Sequence, residues 1–172
     1  MTQYKSYETE RLILKPTQVE DGAFILELLN TPKWIQFIGD RKVRTLEDAE
    51  NYIKNRMLPQ LERLGYGNFT VINKEDNTKM GCCGLYDREG LDGVDIGFSF
   101  LPQFEGKGYA FEASNKVKNL AFNDFGIEEI SAITVKDNSS SQKLLKKLGL
   151  TFEKFTKIPN DDEELMLFKI KK

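Results

Sequence analysis

The chain contains no histidine. That absence removes imidazole general bases, Ser-His triads and histidine metal ligands together. Cysteine is nearly as scarce: the 172 residues hold two, Cys82 and Cys83, and they are neighbours. On a strand, neighbours project to opposite faces, so a disulfide between them is disfavoured. They read as one buried thiol and one on the other face. Nothing nearby would lower a thiol pKa, so a cysteine nucleophile is not favoured, and no metal site is expected. Long apolar runs are missing too, so no membrane span is expected. The opening Met1-Thr2-Gln3-Tyr4-Lys5 leads into no apolar signal core, which gives a cytoplasmic expectation. Neither sign of charge is in excess: 25 Lys and Arg stand against 27 Asp and Glu. A near-neutral balance argues against nucleic acid as the main partner.

What is present fits one ordinary globular domain spanning 1–172. The sequence is 40% hydrophobic and 30% charged, and it shows neither repeats nor a long linker. Residues 11–15 alternate like a first strand, with Pro16 closing it. Residues 23–29 read as a short apolar helix that Asn30-Thr31-Pro32 ends. Leu46, Ala49, Ile53, Met57, Leu61 and Leu64 recur at helical spacing. Thr45 and Asp48 form a capping-box start, and Pro59 should kink or split the helix. Residues 68–73 and 80–86 form a hairpin around Lys74-Glu75-Asp76-Asn77. Strands are expected at 94–100, 130–135, 150–155 and 165–170, with helices at 109–125 and 139–148. A strand, a crossover helix and a strand around 108–135 imply a parallel right-handed unit. The fold expectation is therefore α/β: a mixed, mostly antiparallel sheet with helices on both faces.

The most informative segment is Gln103-Phe104-Glu105-Gly106-Lys107-Gly108-Tyr109-Ala110, between the strand at 94–100 and the helix from Tyr109. Turn glycines let backbone N–H groups converge, and the helix start adds partial positive charge, so this is an anion site. It is no Walker loop, because no Gly-Lys-Ser/Thr follows. It lacks the third glycine of the dinucleotide fingerprint.

A second motif follows: Asn138, Ser141, Lys147 and Gly149, with Leu150 after them. The two together resemble the GNAT superfamily of N-acetyltransferases. Its cofactor loop reads Arg/Gln-x-x-Gly-x-Gly/Ala, filled here by Gln103, Gly106 and Gly108. Its later segment reads Asn-x-x-Ser, then Lys-x-Gly-Phe, with leucine here in place of the aromatic. The opening Thr9-Glu10-Arg11-Leu12-Ile13-Leu14-Lys15 and the run Gly108-Tyr109-Ala110-Phe111-Glu112-Ala113 resemble the RimJ/RimL-like branch, which acetylates ribosomal-protein N-termini.

The resemblance implies the GNAT fold, with two parallel strands splaying apart, and acetyl transfer from acetyl-CoA to a primary amine by a sequential ternary-complex route. Gly106, Lys107, Gly108, Tyr109 and Ala110 would hold the pyrophosphate. Backbone from Phe98 through Phe100 and Leu101 to Gln103 would hold the pantetheine arm, with Leu101 and Gln103 as the strongest expectations. Asn138 and Ser141 would fix the thioester end, with Lys143 toward a CoA phosphate. An alkylammonium has a pKa of about 10 and must lose a proton before attack. With no histidine, Asp95 is the first candidate base and Glu112 the second. The family's general-acid tyrosine would fall at Leu145, so Ser141 is the candidate proton donor to the leaving thiolate. Trp34 and Phe37 are expected to line the acceptor pocket. The acceptor is a protein N-terminal amine, a polyamine or another small amine. An acyl-CoA-binding module with little catalysis is the competing reading, and an NAD or ATP enzyme is the third. Homodimers are common among similar proteins, although no exposed apolar stripe stands out in this sequence to argue for one.

Overall fold

The computed structural model describes residues 3–172. Its strands are β1 (Tyr7–Glu8), β2 (Leu12–Pro16), β3 (Asn68–Asn73), β4 (Lys79–Tyr86), β5 (Val94–Phe100), β6 (Glu129–Val135), β7 (Thr151–Thr156) and β8 (Leu165–Lys171). They form one sheet in the order β1-β2-β3-β4-β5-β6-β8-β7. Each neighbouring pair is antiparallel except β5 and β6, which run parallel. The crossover between them is α5 (Tyr109–Asn123). The expected mixed sheet with one parallel pair is the one the molecule has.

The sheet is covered on both faces, and its pleat sorts the side chains. Cys83, Leu85, Ile96, Ile130 and Ala132 share a core with Ala113, Val117 and Ala121 of α5. Cys82 and Leu101 belong to a second core, with Phe24, Ile25 and Leu28 of α1 (Gly22–Leu29) and Ala49 of α3 (Leu46–Tyr52). Period-two alternation thus sends the adjacent cysteines into different cores. Both are free and buried, and burial pushes each thiol up to about 12. Neither is a nucleophile at neutral pH.

The helical layer opposite α5 follows local rules. Thr45 Oγ1 accepts from the Asp48 N–H at 3.0 Å, and Asp48 Oδ2 accepts from the Thr45 N–H at 3.1 Å, closing the capping box of α3. Pro59 splits the next stretch as expected. A π-helical segment, Ile53–Met57, absorbs the break, and α4 (Leu58–Leu64) restarts with the proline in its first turn. There its missing N–H costs no helical bond. The short α2 (Pro32–Phe37) was not anticipated. Asn30-Thr31-Pro32 ends α1, but the same residues start α2. Thr31 Oγ1 accepts from the Trp34 N–H at 3.3 Å, and Pro32 sits at the first helical position. Strand β1, two residues long, was also missed, being too short to show a period. Among the described residues, no helix is long and apolar enough to cross a membrane.

The last helix, α6 (Ser139–Lys147), buries Leu145 at 1% exposure among Leu148, Leu150 and Phe168. The position of the family's tyrosine is therefore core here. Leu145→Tyr should overpack that core and bury a hydroxyl. A loss of roughly 1–3 kcal/mol in urea unfolding is expected, with no gain in acetyl transfer.

Candidate functional site at the splayed strands

The parallel ladder between β5 and β6 is short. It pairs Val94 with Ile130 and Asp95 with Ser131, and stops. Strand β5 runs on to Phe100 and β6 to Val135 without pairing each other. The two strands part like a V with its vertex at Asp95 and Ser131. On its other edge β5 stays bonded to β4 as far as the Leu101 N–H, which donates to the Met80 carbonyl at 2.9 Å. Backbone groups alternate along a strand. Ser99 and Leu101 therefore aim at β4, while Phe98 and Phe100 aim into the gap. The Leu101 carbonyl is also engaged, accepting from the Phe104 N–H at 3.0 Å. The free donors and acceptors of the splay belong to Phe98 and Phe100, which shifts the expected arm contacts away from Leu101. The Phe100 side chain packs in the α5 core and the partly buried Phe98 packs against it, so each contributes backbone to the gap.

Beyond Leu101 the chain makes a 3-10 turn, Pro102–Phe104, with Gln103 exposed, and enters the glycine loop. Gly106 and Gly108 have φ of 73° and 82°, the left-handed region that glycine adopts without strain. Gly108 precedes α5, whose first helical bond runs from the Glu112 N–H to the Gly108 carbonyl at 3.0 Å. The N–H groups of Tyr109, Ala110 and Phe111 are left for an outside acceptor. With the positive end of a 15-residue helix beside them, they fit an anion. Lys107 is exposed and adds charge there.

Asp95 sits at the vertex, 1% exposed. Burial pushes its carboxyl above the usual range, opposed by Arg88, whose guanidinium lies 3.3 Å away. Arg88 was not anticipated; its only sequence signal was its place in the charged loop Asp87-Arg88-Glu89 before β5. Glu112 is a different kind of carboxylate. Burial raises its pKa, but the Thr9 hydroxyl, the Arg11 backbone N–H and the Arg11 guanidinium outweigh that and hold it below the usual range. A carboxylate satisfied by three donors is a poor proton acceptor, so its surroundings suit Glu112 to a base's role less well than those of Asp95.

Asn138 and Ser141 lie past the open end of β6, at the start of α6. Asn138 Oδ1 accepts from the Ser141 N–H at 3.2 Å, so the asparagine caps its helix. Gln142 Nε2 donates to the carbonyls of Val135 and Lys136 and pins this helix to the strand end. Lys143 is exposed on the same helix. Asp95 and Ser141 therefore stand at opposite ends of the open strand pair, the one at the vertex and the other beyond the mouth. Trp34 and Phe37 lie on α2. A Lys33–Glu105 ion pair of 2.5 Å ties that helix to the glycine loop, and Trp34 and Phe104 both pack on the core that holds Leu101. The Trp34 Nε1–H is buried and has no hydrogen-bond partner among the described residues. Among the described residues, no group of three or more His, Cys, Asp or Glu is placed to hold a metal.

The comparisons agree with this geometry. Residues 11–151 match the model of the acetyltransferase (GNAT) domain. YnaD of Bacillus subtilis, described as an uncharacterized N-acetyltransferase, is 27% identical over 157 residues, covering 90% of this chain and 89% of that one. Among solved structures, an acetyltransferase from Agrobacterium tumefaciens superposes with a TM-score of 0.84 at 19% identity, covering 100% of this chain and 97% of that one. RimL, a ribosomal alpha-N-protein acetyltransferase solved with coenzyme A, superposes with a TM-score of 0.82 at 15% identity, covering 97% and 98%. A parted parallel strand pair, a glycine loop opening the crossover helix and a family match across most of the sequence converge: the chain belongs to the acetyltransferase (GNAT) domain family.

Proposed function

We propose that the protein transfers the acetyl group of acetyl-CoA to a primary amine, with acceptor and cofactor bound together. The observation that carries this reading is the early end of the β5–β6 ladder, which leaves backbone of Phe98 and Phe100 facing a gap that leads to the glycine loop. From Leu101 back to Asp95 the strand spans roughly 20 Å at about 3.3 Å per residue. An extended chain anchored by its phosphates at Gly106–Ala110 would lie along that edge like an added strand. Gln103, Lys107 and Lys143 border its polar end, and Asn138 and Ser141 border it from α6.

In this reading Asp95 takes the proton of the bound ammonium. A buried carboxyl with a raised pKa suits that role better than an ordinary surface aspartate. The amine nitrogen then forms the C–N bond as the C–S bond breaks; the sulfur leaves as thiolate and takes up from solvent the equivalent of the second proton that the nitrogen releases, while Ser141, at the other end of the strand pair, holds the cofactor. Positioning supplies most of the rate, since the chain offers no histidine and no tyrosine at position 145. Trp34 and Phe37 border the acceptor. The Thr9–Lys15 opening and the fold likeness to RimL favour a protein N-terminal amine, with polyamines and other small amines as the wider class.

Thermal unfolding with acetyl-CoA, CoA, NAD or ATP tests the cofactor. Tm should rise with the two CoA species alone, because a ligand that binds only the native state stabilises by mass action. Release of free thiol with an amine panel then tests transfer. Gly108→Val places a β-branched residue at positive φ, a strain of roughly 1–3 kcal/mol. CoA affinity measured by calorimetry should fall by about tenfold or more, and normal binding would show that the phosphates sit elsewhere. Asp95→Asn should lower kcat/KM roughly a hundredfold and move the appearance of activity to higher pH, since the amine must then lose its proton to solvent. Arg88 opposes the upward shift of Asp95, so Arg88→Gln should move the same limb to higher pH. An unchanged pH–rate profile in Asp95→Asn removes it as the base.

A further inference from the structure

The amino-terminal segment reaches the glycine loop through the Arg11 side chain. Arg11, just before β2, donates from Nε to Glu112 Oε1 at 2.7 Å and from Nη1 to the Lys107 carbonyl at 3.0 Å. Its guanidinium carbon lies 4.3 Å from the centroid of the Tyr109 ring. Its Nη2 lies 3.3 Å from where a Cβ on Gly108 would be. Three consecutive features of the loop and helix start, a carbonyl, a glycine and an aromatic face, and a carboxylate three residues on are thus met by one planar cation. Glu112 is held in turn from the other side. Its Oε2 accepts from the Thr9 hydroxyl and from the Arg11 backbone N–H. The Thr9 hydroxyl oxygen accepts from the Leu12 N–H at 3.1 Å, so the clamp is anchored where β2 begins.

From this geometry we propose that Arg11, locked by Glu112 and Thr9, is the positioning residue of the glycine loop. It holds the Gly106–Gly108 turn, whose two glycines are left-handed, in shape before any anion arrives. The proposal rests on the acetyl-CoA reading for its ligand and on the free protein for its geometry. A flexible glycine turn would have to be ordered on binding, at a cost to affinity that pre-organisation removes. The planar fork is what makes arginine suitable, since the Nε and Nη1 bonds diverge toward two acceptors at fixed angles; lysine has no such fork. The pair lies at the edge of the surface, with 42% of the Arg11 side chain and 19% of that of Glu112 accessible, so its contribution to global stability is small. Its effect belongs to the loop. Arg11 also borders a surface cavity of about 560 Å³ shared with Phe111, Asn115, Lys116 and Lys147. A direct contact with a CoA phosphate there is the rival role.

The test compares Arg11→Gln, Arg11→Lys, Glu112→Gln and the Arg11→Gln/Glu112→Gln double variant. Each should raise KM for acetyl-CoA and Kd for CoA about tenfold, with kcat at saturating acetyl-CoA changed less than twofold and Tm within a few degrees. The double variant should be no worse than the weaker-binding single, because both changes break one unit. Thr9→Val, which removes one hydroxyl, gives a milder version if a charge change unfolds the chain. Glu112→Gln decides against the rival. If Arg11 contacts phosphate directly, freeing it from Glu112 leaves affinity unchanged or better, and Arg11→Gln loses affinity for CoA but not for dephospho-CoA. Either result overturns the proposal. A readout without ligand separates it from the cofactor reading. In the free protein, the ¹⁵N order parameters of the Gly106 and Gly108 amides should fall from near 0.85 toward 0.6 in Arg11→Gln. Unchanged order parameters overturn the clamp, whether or not CoA binds. Failure of the wild type to bind CoA overturns the acetyl-CoA reading alone.

Discussion

The structure turns on a hydrogen-bond ladder that stops early. Strands β5 and β6 pair at two registers and then diverge, although both run on for several residues. A buried strand edge without partners is normally costly, because each unsatisfied backbone group loses its solvation. Here that edge opens to a gap that leads to the glycine loop and the N-terminus of α5. The sheet is held together on either side of the gap by antiparallel ladders that run the length of their strands, β4 with β5 and β6 with β8. The opening is therefore a feature of a stable sheet, with α5 bridging the two parted strands.

The two helical layers complete the argument. Because both faces are covered, residues on both sides of the pleat are buried. That explains why the neighbouring cysteines both lie in cores and why Asp95 is nearly inaccessible, whereas Glu112, on α5 and off the sheet, is only partly buried. The contrast between those two carboxylates is environmental. At Asp95 burial dominates and one arginine opposes it. At Glu112 three donors outweigh burial. The same side-chain chemistry is held toward the protonated form in one place and toward the ionised form in the other.

Much of the framework was legible along the chain, and the reasons are local. The capping box at Thr45 and Asp48 and the break at Pro59 depend on residues within one or two turns. The strands at 68–73 and 94–100 depend on composition between turn signals. The glycine loop depends on backbone freedom. The elements missed were those whose signal was doubly used or too short: Thr31-Pro32, which stops one helix and starts another, and the two-residue β1. In the site, the glycine loop and the Asn138 cap could be read directly. That the Leu101 N–H and carbonyl are already engaged within the protein was not legible, because which way a strand residue's N–H points depends on the partner strand. The partner of Asp95 lay seven residues away in a charged loop that reads as solvated.

Residue type and spacing alone determined the absence of imidazole chemistry, the α/β character, the glycine turn before α5 and the family resemblance. Each of these follows from side-chain identity or from interactions over a few residues. Tertiary structure decided which carboxylate is buried and which is satisfied, where the parallel ladder ends, that position 145 is core, and that Arg11 reaches Lys107 and Glu112 from about a hundred residues away in sequence. These depend on desolvation and on contacts between distant segments, which exist only once the chain has folded.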